Sequence, residues 1–148
     1  MKELSKRDYK FICKAIELST LSDFKQFKIG CIAVYHKNII GVGINKPKTS
    51  SVQSYFNYIS GRSKTFISNN GQPIHEFIHA EIDCINMIKH MDIDFSRVKL
   101  YVARMDANQH IACCKPCIAC QTAIKTLGIK EIYYTSDKDI KHLKFKNK

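Results

Sequence analysis

Two short stretches carry residues whose types and spacing can do chemistry: His79-Ala80-Glu81 and Pro116-Cys117-Ile118-Ala119-Cys120. Imidazole nitrogen and thiolate sulfur are the donors that zinc takes at tetrahedral geometry. A Cys-x-x-Cys pair at a helix start can turn both sulfurs to one ion, where the exposed amides and the helix dipole favour thiolate. His79, Cys117 and Cys120 make three protein ligands. Three ligands leave one position for water, the pattern of a catalytic rather than a structural zinc, and water bound there has a pKa of roughly 7. Glu81, two residues beyond the His, can lie beside that water without being a ligand and can move its protons.

Either half of this pattern is weak alone. A lone Cys-x-x-Cys is also a redox pair or half a zinc finger. The redox reading wants the motif after the first strand of a thioredoxin-like unit. The finger reading needs a further Cys or His pair and leaves Glu81 without a task. His75-Glu76-Phe77-Ile78-His79 matches the H-E-x-x-H pattern of zinc proteases, but that reading leaves the Cys pair unexplained. We treat it as coincidence, with His75 open to a supporting role or a substrate contact.

The elements that must position these residues follow from periodicity. Ser5 to Thr20 reads as a helix capped by Ser5, with Phe11, Ile12, Ala15 and Ile16 on one face. Lys28–Tyr35 and Ile39–Ile44 read as a hairpin turned at Asn38. From Asn45 to Pro73 periodicity is lost, and the stretch reads as an insertion. Its aromatics Tyr55, Phe56, Tyr58 and Phe66 either pin it to the core, the simpler account, or stack on bases beside Arg62 and Lys64. His79 to Met91 reads as a helix, Val98–Ala103 as a strand, and Pro116 to Leu127 as a helix ended by Gly128. Ile129–Thr135 is a strand, and Asp137 to Phe145 a short final helix. Alternating strands and helices indicate one α/β domain over residues 1–148, with 45–73 inserted.

Composition bounds the setting. The 148 residues suit one domain with its own core, and 45% hydrophobic with 25% charged residues is ordinary for a globular chain. No apolar run spans a membrane and the charged N-terminus is no secretory signal, so a cytoplasmic setting is expected. Seven cysteines, four of them between 113 and 120, read as metal-binding or catalytic in a reducing compartment. Cys13, Cys31 and Cys84 read as core. Cys113 and Cys114 are either a second zinc site with His110 or, more simply, free thiols near the active loop. The net charge of +11 attracts phosphate, or reflects only a bias towards lysine codons. Arg104 is either a phosphate contact or, more simply, a solvated side chain.

Together the two motifs, in this order and separated by a strand, match the zinc nucleobase deaminase signature. With Gly30-Cys31-Ile32-Ala33-Val34, Ile40-Gly41-Val42-Gly43-Ile44-Asn45 and Gly128-Ile129-Lys130-Glu131-Ile132-Tyr133-Tyr134 they make the chain resemble the cytidine deaminase-like superfamily, most closely its deoxycytidylate deaminase branch with the phage-like members. The resemblance implies a three-layer α-β-α fold on one central mixed five-stranded sheet. In the nucleotide and tRNA branches the last strand is parallel. Four strands are placed above, and a fifth would lie in the C-terminal segment. The resemblance also implies zinc on His79, Cys117 and Cys120, proton transfer by Glu81, a sugar contact by Asn45, a base contact by the Ala80 amide, and homo-oligomers. Lys115 stands where adenosine and guanine deaminases carry Glu, which favours a cytosine mononucleotide, deoxycytidylate first. The other readings are deamination of cytosine or adenine in single-stranded DNA or RNA, tRNA included, and an inactive zinc-stabilised nucleic-acid-binding module.

Overall fold

The computed structural model describes residues 4–62 and 77–146. Among the described residues a central sheet carries α-helices on both faces. In chain order the elements are α1 (Lys6–Ser19), β1 (Lys28–Tyr35), β2 (Asn38–Ile44), β3 (Lys46–Thr49), α2 (Ser51–Ile59), β4 (Phe77–Ile78), α3 (Ala80–Ile88), β5 (Lys99–Met105), β6 (Ile111–Ala112), α4 (Ile118–Leu127), β7 (Glu131–Thr135) and β8 (Ile140–Lys144). The five long strands run in the order β2-β1-β5-β7-β8, and β6 adds a short hairpin to β5. Among the described strands only β5 and β7 pair in parallel, joined through α4 as a parallel crossover requires. This is the expected mixed five-stranded sheet.

The period-two alternation of β1 sorts the core into two layers. Ile32 and Val34 pack with Phe11, Ile12 and Ala15 of α1 and with Tyr101 and Tyr133. Cys31 and Ala33 face the other way, onto Ile82, Ile85 and Ile88 of α3 and Ala123 and Ile124 of α4. α1 therefore covers one face of the sheet, and α3 and α4 the other, with α2 against α4. Cys31 and Cys84 are core as expected, whereas Cys13 is only half-buried.

Between β2 and α3 there is no side-chain layer at one point. A Cβ at Gly43 would collide with the Ala80 carbonyl and the Cys84 amide. The strand backbone thus rests directly on the first turns of α3. Asp83 reinforces the joint, accepting from the Ile44 amide at 3.1 Å and pairing with Lys46 at 3.1 Å.

Several expectations are corrected. The hairpin turns at His36 and Lys37, with φ of 49° and 70°, the pair of positive φ values that a two-residue turn requires. Asn38 is the first residue of β2, paired with Tyr35. The stretch after Asn45 is not irregular throughout. β3 pairs with β4, and α2 is capped by Ser50, whose hydroxyl accepts from the Gln53 amide. α2 escaped detection because its buried residues include Gln53 and Asn57, which break the apolar stripe. Phe66, Lys64, His75 and Glu76 lie outside the described residues. Pro116 precedes the cap of α4 rather than entering its first turn.

The C-terminal segment is a strand, not a helix. A turn closed by the Ser136 amide on the Asp139 carbonyl, at 2.7 Å, sends β8 back along β7. So short a connection can only give an antiparallel pair, and the final strand departs from the parallel one of the nucleotide and tRNA branches.

α1 turns a carboxyl, Asp8, towards the sheet, where it is buried. Asp8 accepts from the Ser5 hydroxyl at 2.8 Å and from Tyr101 Oη. Burial alone would raise its pKa, but the Tyr101 and Ser5 hydroxyls outweigh it and hold the carboxyl below its usual 3.8. The unfolded chain therefore binds this proton more readily, and the stabilisation is complete above the unfolded pKa and lost as pH falls through the folded one. Asp8→Asn should lower stability at pH 7 by about 1–3 kcal/mol. Its urea midpoint should also fall less than the parent's between neutral and acid pH. Equal losses in the two proteins would remove Asp8 as the acid-sensitive group.

Candidate metal centre and active site

The two motifs meet at two helix starts. His79 caps α3 in extended conformation and makes no side-chain capping bond, so its ring is free to turn towards α4. Its main-chain amide donates to Gln53 Oε1 at 2.9 Å, and Gln53 in turn donates to Asn57 Oδ1 at 2.9 Å. Both amides are fully buried. α2 thus fixes the backbone that carries His79.

Cys117 caps α4, its Sγ accepting from the Cys120 amide at 3.5 Å. The preceding turn is tied by Gln121 Nε2, which donates to the Pro116 carbonyl at 2.8 Å. His79 Nδ1 lies 3.3 Å from Cys120 Sγ and 3.5 Å from Cys117 Sγ. The three donor atoms all fall within 4.8 Å of one another. Zinc–sulfur and zinc–nitrogen bonds at a tetrahedral angle place their donors about 3.6 Å apart, so this set fits zinc.

Electrostatics prepare the same set. The Cys120 hydrogen bond, helped by His79, overcomes burial and brings the Cys117 thiol down to about 4. Cys120 is pushed up by that hydrogen bond and by burial. Burial pulls His79 down, but Cys117 and Glu81 outweigh it and leave the imidazole raised. Glu81, 4% exposed, is raised by burial. An ion that takes both thiolates and a neutral imidazole must displace protons from this cluster.

His79, Glu81 and Cys117 share a cavity of ≈ 620 Å³ with Asn45, Arg62, Arg104 and Lys115. That volume is in the range of small-molecule sites. Two rings at the cavity, Phe24 and Phe77, lie 5.7 Å apart. A larger groove of ≈ 770 Å³ runs between α1 and the β7–β8 turn, past Ile12, Ile16 and Ile140, but contains none of these donors. Chemistry, not size, selects the smaller cavity.

Asn45 lines the cavity but is already engaged. Its Oδ1 accepts from the Ile29 amide at 2.9 Å, and its Nδ2 donates to the Phe27 carbonyl. One N–H and one lone pair are left for a ligand. Ala80 is fully buried, with its amide in the first turn of α3.

Arg104 is not freely solvated, since its guanidinium stacks on Phe27. Cys113, Cys114 and His110 form no donor cluster among the described residues. Cys114 Sγ is buried against the Val102 carbonyl at 3.3 Å and Thr135 Oγ1 at 3.2 Å, and burial lifts its pKa to about 12.

The residues that sequence reasoning missed are Gln53, Phe24 and Phe27. A buried Gln gives no signal. The two Phe, three apart in the polar run before β1, were visible but had no pattern to join.

Residues 5–136 match the model of the family described as "Cytidine and deoxycytidylate deaminase zinc-binding region". No curated protein matches the chain. Among solved structures, the dCMP deaminase of cyanophage S-TIM5 in complex with dCMP and dUMP is similar in fold, with a TM-score of 0.58 and 21% identity over 90% of this chain and 83% of that one. Its apo form gives the same TM-score and identity over 93% and 88%. A mutant cytidine deaminase from Mycobacterium tuberculosis has a TM-score of 0.50 and 13% identity over 94% and 91%. No described helix is long and apolar enough to cross a membrane.

Proposed function

The chain belongs to the cytidine and deoxycytidylate deaminase zinc-binding family, and from that premise we propose that it hydrolyses the amino group of a cytosine mononucleotide, dCMP to dUMP before others. The observation that carries this reading is a buried carboxylate, Glu81, sharing one nucleotide-sized cavity with His79 and Cys117, two of the three donors that fit zinc. We read residues 1–148 as one deaminase domain in which 45–73 is an insertion.

His79, Cys117 and Cys120 hold the zinc. When bound, zinc lowers the pKa of water to about 7 and so supplies the nucleophile at neutral pH. Glu81 takes a proton from the attacking water and gives it to the ring nitrogen of cytosine. It then carries the second proton to the exocyclic amine, so that ammonia leaves and a carbonyl remains. The Ala80 amide meets the base, and the remaining N–H of Asn45 meets the sugar. A cytoplasmic homo-oligomer acting on free nucleotides accords with this reading.

The net charge of +11 and the half-exposed Phe27 and Phe77 at the cavity favour a second reading, deamination within a single strand. Mass spectrometry after incubating zinc-loaded protein with dCMP, CMP, their nucleosides, adenosine and short DNA and RNA strands separates the two. Conversion of dCMP with the strands untouched is the expected result. Conversion of strands alone would replace the preferred substrate.

A further inference from the structure

One cation at the cavity is tethered yet meets no ion-pair partner among the described residues. The Arg104 guanidinium carbon stands 4.4 Å from the centre of the Phe27 ring. Its Nη1 donates to the Cys113 carbonyl at 3.2 Å, a second tether. The Nε is shut off from solvent and has no hydrogen-bond partner among the described residues. No ion pair among those residues includes Arg104. Asp106 feels its charge, but Asp106 Oδ1 is taken by the Asn108 and His110 amides, each at 2.9 Å.

The platform is itself secured. The same Asn45 that lines the cavity binds the Phe27 carbonyl and the Ile29 amide, clipping the segment that presents the ring. Phe27 is half-exposed, so its side chain serves the guanidinium more than the core. A guanidinium held over a ring with donors to spare suits the paired oxygens of a phosphate, and a partly desolvated cation gains most from an arriving anion. Arg62 and Lys115 at the same cavity add to its positive field.

We propose that Arg104, seated over the Phe27 ring, receives the phosphate of the mononucleotide and makes this enzyme prefer nucleotide to nucleoside. The inference rests on the deaminase reading for the identity of the substrate. A stacked planar cation also accounts for Arg rather than Lys at this position, because an ammonium has neither the fork nor the flat face.

The test compares the parent protein with Arg104→Gln, Arg104→Lys and Phe27→Leu on dCMP, deoxycytidine and a short single strand with an internal cytosine. Calorimetric binding of dCMP and deoxycytidine is measured on the same zinc-loaded proteins. Arg104→Gln should raise KM for dCMP about 100-fold with little change in kcat, and leave deoxycytidine kcat/KM where it was. Arg104→Lys should recover only part of the loss. Phe27→Leu should raise KM about 10-fold. Equal losses on dCMP and deoxycytidine would overturn the assignment, as would a strand converted in preference to dCMP. If zinc-loaded parent protein turned over no cytosine compound, the deaminase reading would fall, and binding alone would judge Arg104. Tighter binding of dCMP than of deoxycytidine, lost in Arg104→Gln, would uphold the phosphate site. Equal binding would overturn it.

Discussion

Glu81→Gln should lower kcat at least about 1,000-fold while zinc content and fold stay as they are. The amide matches the carboxylate in volume and has hydrogen-bonding capacity, but it cannot take a proton from water and hand it on. Because Glu81 is 4% exposed and burial already raises its pKa, a neutral replacement should not destabilise the folded chain. The measurements are ammonia release at saturating dCMP, zinc by elemental analysis and thermal melting of both proteins. Activity above a tenth of the parent's, with zinc retained, would show that another group moves the protons.

Cys117→Ser should strip the zinc and with it all turnover. The substitution is chosen because Cys117 does two things: it offers a sulfur to the donor set and it caps α4. Serine is a good helix cap and a poor zinc ligand, so it removes the first role and keeps the second. Losing a partner outside the donor set typically costs a metal site 10–100-fold in affinity, and loss of a donor itself should cost more than about 100-fold. Thermal stability should fall with the zinc, since a ligand that binds only the native state stabilises it by mass action. Chelator competition and circular dichroism read the two effects separately. Parent-like zinc affinity in Cys117→Ser would take Cys117 out of the donor set.

What the sequence made legible depended on how each part is specified. The donor set was readable because ligation demands particular atoms, and His79, Cys117 and Cys120 arrive at two helix starts whose caps are local in sequence. The first helix and the first hairpin were readable because one face of each is apolar with the right period. α2 was not, because its buried contacts are amide to amide, and Gln53 finds its partner 26 residues away at His79. β8 was not, because the turn from Ser136 to Asp139, rather than the Ile140–Lys144 stretch, decides that the chain doubles back. Arg104 was visible as a charge, but its stacking partner lies on another strand's approach, at Phe27. Contacts between distant segments settle these points, and no local pattern encodes them.

The bare backbone contact at Gly43 sets a gauge. Gly30 makes a like contact with the backbone of α1 at Ala15 and Ser19; where side chains do fill the gap, the spacing of helix and sheet follows their bulk and drifts as they are exchanged. At Gly43 nothing intervenes, so the end of α3 that carries His79 keeps its height above the sheet whatever fills the layer under Ile85 and Ile88. Exchanges in that layer swing the far end of the helix about a fixed pivot. The chemistry is thereby uncoupled from turnover in the core, at the expense of a position that admits no residue but glycine.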